Sequence, residues 1–180
     1  MKKCLLFLSL VALLSACKRG DNSVDYTPSI AISRDFYIFR TDSVVTIDTL
    51  HLKDTLGHLE LDTTHVGDTV IFMAGLSGIA NDLVKFTMDW DSTYLRVLPL
   101  SIDSVNAILS QEQLAANQAV YYFKPGLLAV ALPVLYAVIG VGETTPELTM
   151  TLETKSAYPT TQAKVFLPVA LPDPTAHPSR

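Results

Sequence analysis

Three of the chain's four histidines, His51, His58 and His65, stand seven residues apart in the stretch HLKDTLGHLELDTTHVGDTV. Histidines at a regular spacing are candidate metal ligands, and zinc needs three or four donors converging on one point at about 2 Å. On a helix a seven-residue spacing would align all three. The Asp-Thr pairs and the glycines of this stretch argue against a helix. Read as strand, Asp54-Thr55-Leu56-Gly57 forms a four-residue hairpin loop, with Gly57 free to take a positive φ. That register sets Leu52 opposite Leu59 and Leu50 opposite Leu61 on one face. It sets His51 opposite Glu60 and Lys53 opposite His58 on the other. One face is apolar and one polar, as a half-buried antiparallel pair requires. His51 and His58 are then diagonal neighbours on the polar face. His65 lies an odd number of residues further on and turns to the opposite side. The register therefore splits the histidines, and no metal is expected. The aspartates of the Asp-Thr pairs (Asp48, Asp54, Asp62, Asp68) are too widely spaced for a calcium loop, which sets its carboxylates at alternate residues around a glycine.

Other catalytic chemistry is thin. The chain has two cysteines, Cys4 and Cys17, both near its start. No Gly-x-Ser-x-Gly elbow, phosphate loop or His-Glu-x-x-His appears. Asp89 and Asp91 flank Trp90 on one strand, where two like charges on one outer face repel rather than span a substrate cleft. The expectation is a protein that is not an enzyme and carries no cofactor.

The first residues read MKKCLLFLSLVALLSACKRGDNS. Lys2 and Lys3 precede an apolar run from Leu5 to Ala16, which has the length of a signal h-region and is too short to span a bilayer. The run ends in Leu14-Ser15-Ala16-Cys17, which resembles the lipobox of bacterial lipoproteins. That resemblance implies cleavage before Cys17, lipidation of its thiol and anchoring to a membrane the chain does not cross. Residues 1–16 are then a signal peptide that carries Cys4 away. Lys18 after the anchor, a non-acidic residue, implies the outer membrane by similarity to enteric lipoproteins. Loss of Lys2 and Lys3 leaves 11 basic residues against 18 acidic ones, a formal charge of −7. With no basic cluster beyond Lys18 and Arg19, nucleic acid is not expected as a partner.

The elements follow from period and punctuation. Residues 17–28 read as a polar tether, 29–169 as one domain, and 170–180 as a proline-rich irregular tail containing His177. Ile30–Phe39 and Ser43–Leu52 are rich in β-branched and aromatic residues. Val84, Phe86, Met88 and Trp90 alternate with Lys85, Thr87 and Asp89, placing Trp90 on a core-facing side. Asp103–Asn117 carries an apolar stripe of Val105, Ile108, Leu109 and Leu114 behind a capping Asp103 or Ser104, and reads as one short covering helix. Strands resume as AVYYF, LLAVAL, VLYAVIGV, ELTMTLET and QAKVFLPV, with a turn at Pro133. The nearly continuous apolar run Leu127–Val141 is too short for a spanning helix and reads as central strand buried on both faces. The fold class is all-β, an antiparallel sandwich of Ig-like or jelly-roll type.

Gly67-Asp68-Thr69-Val70, Gly78-Ile79-Ala80-Asn81, Phe86, Trp90-Asp91 and Leu95-x-Val97 are similar to the opening strands of cohesin-type modules. Those are jelly-roll sandwiches that hold proteins together on bacterial surfaces. The resemblance implies the sandwich architecture and no partner-contact residues. Function then divides into two readings. In one, a tethered sandwich binds another envelope protein. In the other it binds a glycan through exposed aromatics, for which Tyr94, Tyr121, Tyr122 and Tyr158 are the candidates.

Overall fold

A computed structural model describes residues 27–42, 44–55, 58–100, 105–142, 144–156 and 160–170. Cys17, the signal peptide, most of the tether, the tail beyond 170 and Tyr158 lie outside the described residues. The described chain is a β-sandwich of twelve strands: β1 (Ser29–Ile32), β2 (Asp35–Asp42), β3 (Val44–Thr55), β4 (His58–Leu61), β5 (Thr69–Ser77), β6 (Leu83–Trp90), β7 (Leu95–Val97), β8 (Leu109–Leu114), β9 (Gln118–Phe123), β10 (Ala129–Val138), β11 (Glu147–Thr154) and β12 (Thr160–Phe166).

The first sheet runs β7-β10-β5, and β1 and β2 share the far edge of β5. The second runs β4-β12-β11-β6-β9-β8. The long strand β3 joins them, pairing with β2 through its first part and with β4 through Leu52–Thr55. Every strand pairing is antiparallel except that of β4 with β12. Inner faces alternate as the pattern of period two demands. Phe36, Phe72 and Tyr136 fill one sheet's inner side, with Phe36 and Phe72 stacked at 4.6 Å. Phe86, Met88, Trp90, Tyr121 and Met150 fill the other. Trp90 is buried and pairs across with Leu148, as its place in the alternation requires.

Four expectations are corrected. The hairpin at residues 51–61 pairs Leu52 with Leu61 and Lys53 with Glu60, so only two residues separate Thr55 from His58. The slip is two residues, which keeps every side chain on its expected face. The tighter register brings Lys53 beside the Asp62 carboxylate, which also accepts the His51 N–H at 3.0 Å. Those contacts explain why this register wins. Second, residues 105–117 are not a helix, and the capping candidates Asp103 and Ser104 lie outside the described residues. Val105–Ala107 make one 3-10 turn, and Leu109–Leu114 form edge strand β8, which bulges near Ser110 and closes on β9 through Ala115 N–H to Gln118 C=O at 2.8 Å. Gln-Glu-Gln favours helix locally, but the outer edge of β9 needs a partner, and tertiary pairing overrides the propensity. Third, β10 runs straight through Pro133. Ser33 and Met73 exchange bonds on the other edge of β5, so Pro133, opposite Met73, belongs to a pair that needs no N–H toward β5. Its nitrogen faces the side where β7 reaches only Tyr136–Val138. Fourth, β10 is not buried on both faces. Leu132, Val134, Tyr136 and Val138 are buried while Ala131, Pro133, Leu135 and Ala137 are at least partly exposed.

Candidate functional site

The two outer faces of the sandwich differ in kind. On the β6–β11–β12 side, most alternating residues are charged, hydroxylic or amide-bearing and several are paired with one another, with Phe166 the apolar member beside Glu147. Lys85 meets Glu153 at 3.0 Å and Lys164 meets Glu147 at 2.7 Å. Gln118 donates to Asp89 at 2.7 Å and Gln162 to Thr151 at 3.3 Å. This is the solvated face an antiparallel sheet ordinarily shows.

On the β1–β2–β5–β10 side the alternation still holds, but the central outward residues are apolar, with Ser29, Thr69 and Ser77 toward the ends. The register lines up Tyr37, Ile71 and Leu135 in one row, Met73 and Pro133 in the next, and Ala31, Gly75 and Ala131 in a third. Tyr37 is 47% exposed and Met73 42%. Among the outward residues of β1, β2, β5, β7 and β10 whose side chains the structure describes, only Arg96, at the β7 edge, carries a charge. That face was legible as apolar character in Leu127–Val141. The same apolarity was assigned to a second buried side, because a continuous apolar run does not say whether its outer half is covered.

A cleft of about 360 Å³ opens beside Trp90, lined by Asp89, Asp91, Tyr94, Thr144, Thr145, Pro146, Glu147 and Thr149. Its carboxylates already have protein partners. Asp89 accepts from Gln118. Asp91 has left the strand to cap the next turn, accepting the Thr93 N–H at 2.8 Å, and this bond holds its carboxyl below the usual range. Glu147 is held low by the Lys164 ammonium and the Thr149 hydroxyl.

The tyrosine candidates scatter. Tyr94 is half-buried and packs over Gly142, where any side chain would run into its ring. Tyr122 is half-buried on the outer polar face, paired with Lys85 and Gln111. Tyr121 lies in the core, stacked on Phe86 at 6.3 Å, and burial, helped by Glu112, pushes its hydroxyl far above the usual tyrosine value. It leaves the candidate set, since nothing outside can reach it. No two of the described candidates form an exposed aromatic platform.

The histidines separate as well. His51 is opposite Asp35 on β3, and His65 sits in the turn that Asp68 closes, its N–H bonded to the Asp68 carboxylate at 2.9 Å. Among the described residues no three His, Cys, Asp or Glu side chains converge as metal ligands.

No family model matches the chain, and no curated protein does. Among solved structures, the chain is similar to a DUF4466 family protein from Parabacteroides merdae, at 12% identity and a TM-score of 0.44, over 78% of this chain and 44% of that one. The chain thus spans less than half the length of that neighbour.

Proposed function

We propose that the protein is a lipid-tethered, non-catalytic module of the bacterial outer membrane that binds another envelope protein through the outer face of its β1–β2–β5–β10 sheet. The lipobox-like Leu14-Ser15-Ala16-Cys17 supports the tether. The observation that carries the binding reading is the row Tyr37, Ile71 and Leu135 with Met73 and Pro133 beside it, an apolar surface on a chain whose other outer face is mostly polar and laced with ion pairs. A chain of formal charge −7 after signal removal repels acidic neighbours, and an uncharged face is where approach costs least.

The test is crosslinking in intact envelopes with a photoreactive residue at Met73, compared with one at Thr151 on the polar face. A discrete protein adduct from Met73 alone supports the reading, and Met73→Glu in the same cells should remove the partner from detergent pull-downs. Adducts to lipid only, or equal adducts from both positions, would sink it.

A glycan reading keeps one observation in its favour. The cleft beside Trp90 joins the Tyr94 ring to threonine hydroxyls and carboxylates with spare acceptor sites. Tyr94→Ala on a glycan array decides it, because binding that survives the change cannot use this cleft.

A further inference from the structure

The sandwich has a fork in it. The β2–β3 ladder ends at the bond from Leu52 N–H to the Arg34 carbonyl, 3.1 Å long. Beyond that bond the two strands part. The chain before Arg34 becomes β1 and pairs with β5, while Leu52–Thr55 of β3 pairs with β4 on its opposite edge. Where they part, a cleft of about 440 Å³ opens between the sheets, floored by Ile30, Ile32, Leu52 and Leu59, with Arg34 and Asp54 at its rim.

The backbone accounting of β1 sharpens this. Ser33 donates to the Met73 carbonyl at 2.9 Å, which continues the β1–β5 register and marks Ala31–Gly75 and Ser29–Ser77 as the bonded pairs. The N–H and C=O groups of Ile30 and Ile32 therefore point away from β5, toward the gap. They have no backbone partner there among the described residues. An open strand edge running beside an apolar cleft is the geometry that accepts an added strand, main-chain bonds giving affinity and alternate side chains filling the cleft. Arg34 stands at the closed end, exposed and with no ion pair among the described residues.

We propose that this gap is a binding site for the extended C-terminal segment of a partner polypeptide. The segment lies parallel to β1 and antiparallel to β3, places alternate apolar side chains against Ile30, Ile32, Leu52 and Leu59, and sets its terminal carboxylate on Arg34. The charge match sets the direction, because a C-terminal carboxylate reaches the guanidinium only when the strand ends at the fork. The site is separate from the apolar outer face and stands whether or not that face binds anything.

The test is amide hydrogen exchange by NMR on the full chain purified in detergent. The probe is the acetylated hexapeptide Thr-Val-Thr-Val-Thr-Val with a free C-terminus. Saturating peptide should slow exchange at Ile30 and Ile32 by about tenfold or more. Arg34→Gln, and amidation of the peptide, should each weaken binding by about tenfold. Ile32→Pro removes one donor on the open edge and should abolish binding. Gln113→Glu, on β8 at the far edge of the second sheet, should leave it unchanged. If Ile32→Pro fails to fold, as judged by Trp90 emission, the Arg34→Gln and amidation arms decide alone. No slowing at millimolar peptide, or equal binding by the amidated peptide, overturns the proposal. So does slow exchange at Ile30 and Ile32 without peptide that is relieved by dilution or by removal of residues 171–180, since a second copy or the chain's own end would then occupy the gap.

Discussion

Tyr136 stands edge-on to Phe72, their ring centroids 6.5 Å apart, with its hydroxyl sealed in the core and without a hydrogen-bond partner among the described residues. Burial, reinforced by the nearby Asp68 charge, pushes that hydroxyl's pKa well above the usual tyrosine value. A buried hydroxyl without a partner costs about 1–3 kcal/mol of desolvation. Tyr136→Phe should therefore leave stability unchanged or raise it by up to about 1 kcal/mol, read as a higher urea midpoint at constant slope. A loss of more than about 1 kcal/mol would mean that an ordered water satisfies the hydroxyl.

Trp90 should be the costliest single truncation. Its indole is 6% exposed and packs among Met88, Leu148 and their neighbours in a core that no disulfide supports. Trp90→Ala should cost about 3–5 kcal/mol, a large part of the 5–15 kcal/mol a domain has. Emission of the native protein should be blue-shifted and shielded from iodide. Red-shifted, quenchable emission with little loss of stability would instead make Trp90 a ligand platform in the adjoining cleft.

Acid should release the Glu147–Lys164 pair. The folded carboxyl lies below its ordinary value of 4.5 because Lys164 and Thr149 bond to it. A depressed pKa means the contribution is full above the unfolded value and is lost as pH falls through the folded one. The pair is partly exposed and screened, so about 0.2–1 kcal/mol is at stake. Glu147→Gln should lower the urea midpoint at pH 7 and have no such effect at about pH 2, where the wild-type group is protonated too. The same deficit at both pH values would place the cost in packing.

Cys17→Ala should free the protein from membranes. Several acyl chains hold firmly where one is marginal, since each buried CH₂ contributes about 0.8 kcal/mol. The variant should move to the soluble fraction and fail to incorporate labelled palmitate. Persistence in the membrane pellet after a carbonate wash would show another mode of attachment.

The sequence exposed the parity of strands better than their partners. Val84 to Trp90 alternates so cleanly that the inward position of Trp90 could be read directly, and the hairpin faces of Leu52 and Leu61 survived a two-residue slip because parity is what the apolar pattern encodes. Leu109–Leu114 reads as helix in the sequence because what makes it a strand is the open edge of β9, which its own residues do not encode. Pro133 looked like a turn for a similar reason. Its tolerance depends on how far β7 extends along the neighbouring edge. The apolar outer face was legible only as apolar, since whether a surface is covered is a property of the assembled sheets. The gap beside β1 left almost no trace, because it exists only where two ladders diverge at Arg34 and Leu52.

The parallel contact of β4 with β12 sets an order on folding. Leu59 meets Val165, Thr64 bridges to Val169, and Ala170 donates to the Thr64 carbonyl at 2.7 Å. The early hairpin thus borrows one of its edges from the last strand of the domain, across a loop of about a hundred residues. During synthesis or export the outer edge of β4 stays unpaired until residue 166 has been delivered. A high-contact-order closure of this kind is slow, and it leaves Leu59 and Leu61 uncovered while the chain waits. Whatever conveys this polypeptide must keep those strands apart from one another, and from neighbouring chains, until its final segment arrives.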